Sequence, residues 1–164
     1  MAHEKTVMVG GAAMYPSKNI IENAVNSREH TTLVAAVKAA GLVETLQGSG
    51  PFTVFAPTNA AFKKLPKGAV DNLLKPENKD QLAKVLTYHV VPGKLDSRTL
   101  AKMIKDGKGK AELTTVEGGK LWVMMKANSI VLKDETGGMS TITTKDVYQS
   151  NGVIHVVNTV VMPK

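Results

Sequence analysis

The period of the apolar positions divides the chain at Gly109: before it they recur mostly at helical spacing, and after it they alternate in short runs. Ile20, Ile21, Ala24 and Val25 outline a first helix that Ser17 would cap. Leu33, Val34 and Val37 outline a second, opened by Thr31 or Thr32 and closed by Gly41, and Leu42 to Leu46 continues as a further turn. Phe52 to Ala56 interrupts the helices as an alternating strand rich in aromatic and branched residues. Pro57 ends it, and Thr58 or Asn59 caps a short helix through Phe62 and Leu65.

Pro66 and Pro76 bracket another short helix, Ala69 to Leu74. In the clearest helix, Glu77 to Thr87, Leu82, Val85 and Leu86 form one stripe while Lys79 and Lys84 point elsewhere. Pro92-Gly93 turns the chain after a brief strand, and Ser97 or Asp96 caps Arg98 to Lys105 with Leu100, Met103 and Ile104 inward. Beyond Gly109, Glu112 to Val116, Leu121 to Lys126, Ile130 to Lys133 and Thr141 to Thr143 are separated by turn residues at Glu117-Gly118-Gly119, Ala127-Asn128-Ser129 and Asp134 to Gly138. This spacing predicts a meander. The last strand, Val153 to Val161, is apolar at both parities except at His155, Asn158 and Thr159, as a central strand covered on both faces should be. The pattern predicts one α+β domain over residues 1–164, with several helices packed beside a largely antiparallel β wedge or sandwich.

Composition narrows the function. A chain of 164 residues without cysteine buries roughly two-thirds of its unfolded surface in one core. It needs no staple, and disulfides and thiolate metal sites are excluded. No apolar run reaches membrane-span length, so contact with a membrane would be peripheral at most. The net charge of +7 resides in Lys63 to Lys110, and the remainder of the chain balances. With Arg28 and Arg98 the only arginines, and seven aromatic residues in all, the oriented planar contacts that nucleic-acid binding needs are missing. The lysines read as solvated helix faces. Among polyanions, an acidic polysaccharide or an anionic cell envelope fits them best.

Chemistry-bearing constellations are few. His89, seven residues after Leu82, falls near an apolar stripe, and His155 falls within an apolar strand; both read as buried, hydrogen-bonded imidazoles. Ser49 lies in Gly48-Ser49-Gly50, which lacks the spacing of a nucleophile elbow. Gly107-Lys108-Gly109-Lys110 lacks the spacing of a phosphate loop and reads as a hairpin approach. His3, His30, His89 and His155 never approach a metal-ligand spacing, and closely alternating carboxylates are absent. Neither a metal nor a cofactor is expected. The alternative is a secreted small-ligand or copper-binding protein using Met8, Met14 and a histidine, since thioethers are soft donors.

Three stretches carry a family resemblance: Phe52 to Phe62 (FTVFAPTNAAF), Tyr88-His89-Val90-Val91, and Asn151 to Pro163 (NGVIHVVNTVVMP). In order and spacing they resemble the two signature segments and the Tyr-His motif of the fasciclin (FAS1) domain family. The resemblance implies a bacterial-type, single-domain secreted member with the FAS1 fold, a removed leader, and Met1 as an expression start after which residues 1–15 form an N-terminal segment. It also implies a structural role for Phe52, Thr53, Pro57, Thr58, Asn59, His155 and Asn158, the last replacing an acidic residue often seen there.

In matrix proteins of the family, integrin recognition is attributed to an Asn-Lys-Asp-Ile-Leu type motif before the second signature and to the Tyr-His motif. Thr144-Lys145-Asp146-Val147-Tyr148 occupies the first position here. A more literal match, Asn78-Lys79-Asp80-Gln81-Leu82, lies at a helix start instead. The expectation is a non-enzymatic, secreted or cell-envelope adhesion module, monomeric, that binds a protein or acidic glycan of a cell surface or matrix. Its contacts would come from a loop of Lys145, Asp146, Val147 and Tyr148, supported by Tyr88 and His89.

Overall fold

The computed structural model describes residues 7–9, 12–15, 18–48, 51–65, 68–126 and 129–162. A hairpin of β1 (Val7–Val9) and β2 (Ala12–Met14) precedes the helices α1 (Ile20–Ala24), α2 (Thr31–Ala39) and α3 (Val43–Leu46). Strand β3 (Phe52–Pro57) leads into α4 (Asn59–Lys63), α5 (Ala69–Leu73), a 3-10 turn at Pro76–Asn78 and α6 (Lys79–Thr87). After β4 (Val90–Pro92) and α7 (Ser97–Asp106) come β5 (Lys110–Thr114), β6 (Lys120–Lys126), β7 (Ser129–Lys133), β8 (Met139–Gln149) and β9 (Gly152–Val157).

Seven strands form one sheet in the order β4-β3-β9-β8-β7-β6-β5. Every pairing in it is antiparallel except that of β3 with β9, which run parallel in register from Phe52↔Gly152 to Pro57↔Val157. The sheet curls, because the Val116 N–H beyond β5 donates to the Val90 carbonyl of β4 at 2.8 Å. Alternation along β3 and β9 then serves two cores. Val54, Ala56, Ile154 and Val156 face the helices α1 to α6, while Phe55 and Val157 face the inside of the curl. Helix α7 closes the open side, where burying Leu100 and Ile104 contributes about 2 kcal/mol each.

Local chemistry departs from the sequence expectations at several ends. Ser17, Ser49, Pro66 and the Ala127-Asn128 turn lie outside the described residues. Asn19 caps α1 in a capping box: its side chain accepts from the Glu22 N–H and the Glu22 carboxylate accepts from the Asn19 N–H, both at 2.9 Å. Neither Thr31 nor Thr32 caps α2. Asn59, 27 residues away, supplies the acceptor for the Thr32 N–H at 2.9 Å. Gly41, at φ 72°, closes α2 in a Schellman arrangement, with the Leu42 N–H on the Val37 carbonyl at 3.0 Å.

The segment Gly107 to Lys110 is, as expected, the approach to the β5–β6 hairpin, and its first residues also close α7. Gly109 N–H donates to the Ile104 carbonyl at 2.8 Å, which places Lys108 in the left-handed region at φ 60°. Strand β9 stops at Val157, short of Val161, because Asn158 turns back to exchange hydrogen bonds with Thr141 at 3.0 and 3.1 Å.

Strand β8 is the largest correction. Thr141 to Thr143 was the expected strand and Lys145 to Tyr148 a loop, but β8 runs through both, with register shifts between Ile142 and Thr144 and between Thr144 and Val147. A bulge hides the alternation that identifies strands, because the extra residues change the facing parity.

Two substitutions test these local features. Lys108→Gly removes a left-handed side-chain cost and should stabilise the protein to urea by about 0.5 kcal/mol net of the added chain entropy. At Gly152 a Cβ would fall 1.9 Å from the Phe52 carbonyl oxygen, so Gly152→Ala should cost about 3 kcal/mol or more in the same measurement.

Candidate functional site

The signature residues are committed to holding loops against the β3–β9 pair. Buried Asn151, just before β9, accepts from the Ile20 N–H at 3.0 Å and donates to the carbonyls of Leu46 and Gly48 at 2.6 and 2.9 Å, tying α1 and α3 to the sheet. Thr53 donates to the Gly93 carbonyl at 2.7 Å and accepts from the Leu95 N–H at 2.8 Å. Phe52 begins β3 and Pro57 ends it, and Thr58 caps α4 by accepting from the Ala61 N–H at 3.2 Å. Asn59 also donates to the Arg28 carbonyl and to the Thr31 hydroxyl, each at 2.9 Å. Each of these polar groups serves backbone that no ladder reaches.

Tyr88 and His89 do not support a binding surface. Tyr88 is fully buried; its hydroxyl donates to the Lys120 carbonyl and accepts from the Glu135 N–H at 3.1 Å, and burial raises its pKa. His89 Nδ1 donates to the Val85 carbonyl at 2.8 Å and Nε2 accepts from the Val161 N–H at 3.1 Å. Desolvation lowers its pKa to about 4. Both leave the contact set, because α6 ends with its apolar stripe against the sheet and carries the Tyr-His pair inward. Val147 leaves it as well, being buried in the core beneath the helices.

Asp146 is a clamp. Seated in the bulge of β8 at φ 57°, its carboxylate accepts from the Ser97 N–H at 2.6 Å and from the Ser97 hydroxyl, which fastens β8 to the first turn of α7. Behind it, His155 accepts the Asp146 N–H on Nδ1 at 3.2 Å and donates from Nε2 to the Leu95 carbonyl at 2.7 Å. The ring stacks on Phe55 with centroids 5.7 Å apart, and burial lowers its pKa. Ser97, Asp146 and His155 thus come together in an order unsuited to nucleophilic catalysis. The serine proton points at the carboxylate, and His155 has both nitrogens occupied by backbone groups, so no lone pair faces Ser97.

The exposed groups form a ledge around the same helix end. Lys145 is exposed, and Tyr148 is half-buried with its hydroxyl on the Asp96 carboxylate at 3.0 Å. Burial, then that carboxylate, pushes the Tyr148 phenol up to about 12. Hydrogen bonding by the Thr99 N–H holds Asp96 below its ordinary value. Lys94 Nζ lies 4.9 Å from the centre of the Tyr148 ring. Between α7 and strands β6 to β8 runs a groove of about 390 Å³, with Ile130 and Ile142 in its floor and Arg98 and Lys145 among its lining residues. Lys94 and Arg98 were missed in the sequence because only the fold brings Lys94 over Tyr148 and Arg98 beside Lys145.

The small-ligand or copper alternative rests on Met8, Met14 and a histidine. Met14 is buried in the helical core; His3 and the side chain of Met8 lie outside the described residues. Among the described residues no group of three or more His, Cys, Asp or Glu is placed to hold a metal. The apolar cavity that Met14 shares with Leu33, Phe52 and Ile154 has room of about 40 Å³, enough for a few water molecules at most.

Helices packed beside a curled seven-stranded sheet with one parallel pair define a FAS1-type domain. The chain belongs to the fasciclin family: the Fasciclin domain pattern matches residues 28–163. It is 46% identical over 160 residues to Protein sll1483 of Synechocystis sp., covering 98% of this chain and 82% of that one. It is 36% identical over 148 residues to transforming growth factor-beta-induced protein ig-h3 of Sus scrofa, covering 90% of this chain and 20% of the relative. The fold matches a FAS1 domain pair from the insect cell adhesion molecule fasciclin I with a TM-score of 0.80 at 17% identity, over 90% of this chain and 52% of that one.

The buried histidines make stability depend on pH. His30, His89 and His155 all have pKa values lowered from 6.5 by desolvation. The unfolded chain therefore binds more protons than the folded one below pH 6.5. Stability is full above that value and falls with pH down to about 4, the folded value for His89. For His89 alone the loss is on the order of 3 kcal/mol. Urea midpoints measured across this window should drop as pH falls, and His89→Gln should flatten the decline.

Proposed function

We propose that this protein is a non-enzymatic interaction module of the cell envelope or the extracellular space, which binds a protein or acidic glycan partner through the ledge at α7 and β8. The observation that carries this reading is the division of polar groups. His89, His155, Asp146 and Tyr88 are committed to internal hydrogen bonds, while Arg98 and Lys145 stand exposed along one groove and Lys94 stands exposed beside Tyr148. Among the described residues none of these three cations is in an ion pair. Kinship supports an outside location and an adhesive role, since the matched FAS1 pair comes from a cell adhesion molecule. No helix among the described residues is long and apolar enough to cross a membrane.

Asp146→Ala is a poor probe of this ledge, because it would release α7 from β8. A double reversal, Arg98→Glu with Lys145→Glu, changes the ledge and leaves the clamp. Surface plasmon resonance against an immobilised native envelope fraction should show binding at least about tenfold weaker than wild type. A control of equal charge, Lys63→Glu with Lys75→Glu, should bind as wild type. Equal loss in both variants would reduce the effect to net charge, and no loss in either would remove the ledge from the contact.

A further inference from the structure

We infer a second binding site, for an acidic oligosaccharide, on the outer face of the β5–β6–β7 strip, centred on Trp122. Along β6 the inward residues Leu121 and Val123 are fully buried, so Trp122 between them projects outward and is half-buried. A large indole left at the surface of a chain with one tryptophan is an apolar body with a polar edge, the residue type that interfaces favour. The strand register fixes its neighbours. Trp122 pairs directly with Glu112 on β5 and with Lys133 on β7. Lys110, diagonal to it on β5, holds its ammonium 5.3 Å from the ring centre.

Trp122, Lys110 and Lys133 border a concavity of about 380 Å³ that the turn Asp134 to Gly137 also lines. The carboxylates nearby are already engaged. Glu112 lies 4.0 Å from Lys120, and Glu135 accepts from the Lys120 N–H at 3.3 Å. Buried Asp134 accepts from the N–H groups of Thr136, Gly138 and Met162 and from the Thr136 hydroxyl, at 2.7 to 2.9 Å. Lys110 and Lys133 are left as cations outside any ion pair among the described residues, on the strands to either side of Trp122.

An aromatic plane with a lysine on the strand to each side, both lining one concavity, matches a uronate-bearing sugar chain. The C–H face of a pyranose ring lies flat on an indole, and its carboxylates or those of adjacent units reach Lys110 and Lys133. Single-stranded nucleic acid fits less well, since successive bases need successive stacking platforms and Trp122 stands alone. The site shares β6 and β7 with the groove at α7 but none of its lining residues, and does not depend on it.

The single tryptophan makes the test direct, because its emission reports this site alone. Titrating the whole protein with oligogalacturonate should shift or quench the emission saturably, and malto-oligosaccharide of the same length should not. Lys110→Gln with Lys133→Gln should weaken the apparent affinity at least about tenfold, with the fold checked by circular dichroism. The ledge variant Arg98→Glu with Lys145→Glu should respond as wild type. No emission change with oligogalacturonate would overturn the proposal, as would an unchanged affinity in the Lys110/Lys133 variant. An equal response to polyglutamate would overturn it in favour of a charge-only contact, and an equal response to malto-oligosaccharide would overturn its acidic selectivity.

Discussion

The parallel pairing of β3 with β9 is the contact on which the other elements depend. Phe52 and Gly152 face each other across it, a hundred positions apart in the chain, and the backbones approach so closely that only hydrogen fits on the Gly152 α-carbon. A parallel pair cannot be closed by a tight turn, so the intervening helices and meander together form the crossover between its two strands. Its two faces then organise two cores, one under the helices and one inside the curl closed by α7.

Such a crossing leaves many backbone groups outside any ladder, and the polar signature residues serve them. Asn151, Thr53, Asn59 and Asn158 each bond backbone that arrives from a distant segment. His89 and His155 do the same from inside, each placing a donor on one carbonyl and an acceptor on one N–H. An unpaired buried polar group costs several times what a formed hydrogen bond contributes. Residues that look like chemistry in the sequence are therefore held to architecture, and the groups available to a partner are the surface cations and the half-buried aromatic rings.

Chain pattern and final placement agree where one face of an element decides its fate. The stripe of Leu82, Val85 and Leu86, the meander after Gly109 and the doubly apolar run at β9 were legible from period alone, and the signature segments carried the fold family with them. Legibility failed where a side chain answers to a remote partner. The Asn59 cap on α2, the bulge of β8 and the left-handed Lys108 each depend on contacts that local spacing does not encode.

The same boundary runs through the candidate sites. Sequence by itself determined the α+β class, the family, the concentration of positive charge in the middle third and the neutral, buried character of His89 and His155, because hydrophobic period and composition act locally. Only the tertiary structure turned Tyr88 inward, tied Asp146 to Ser97, brought Arg98 beside Lys145 and Lys94 over Tyr148, and set Trp122 between the strands that carry Lys110 and Lys133. Those outcomes follow from strand register and from the docking of α7, which bring together side chains that the linear order keeps apart.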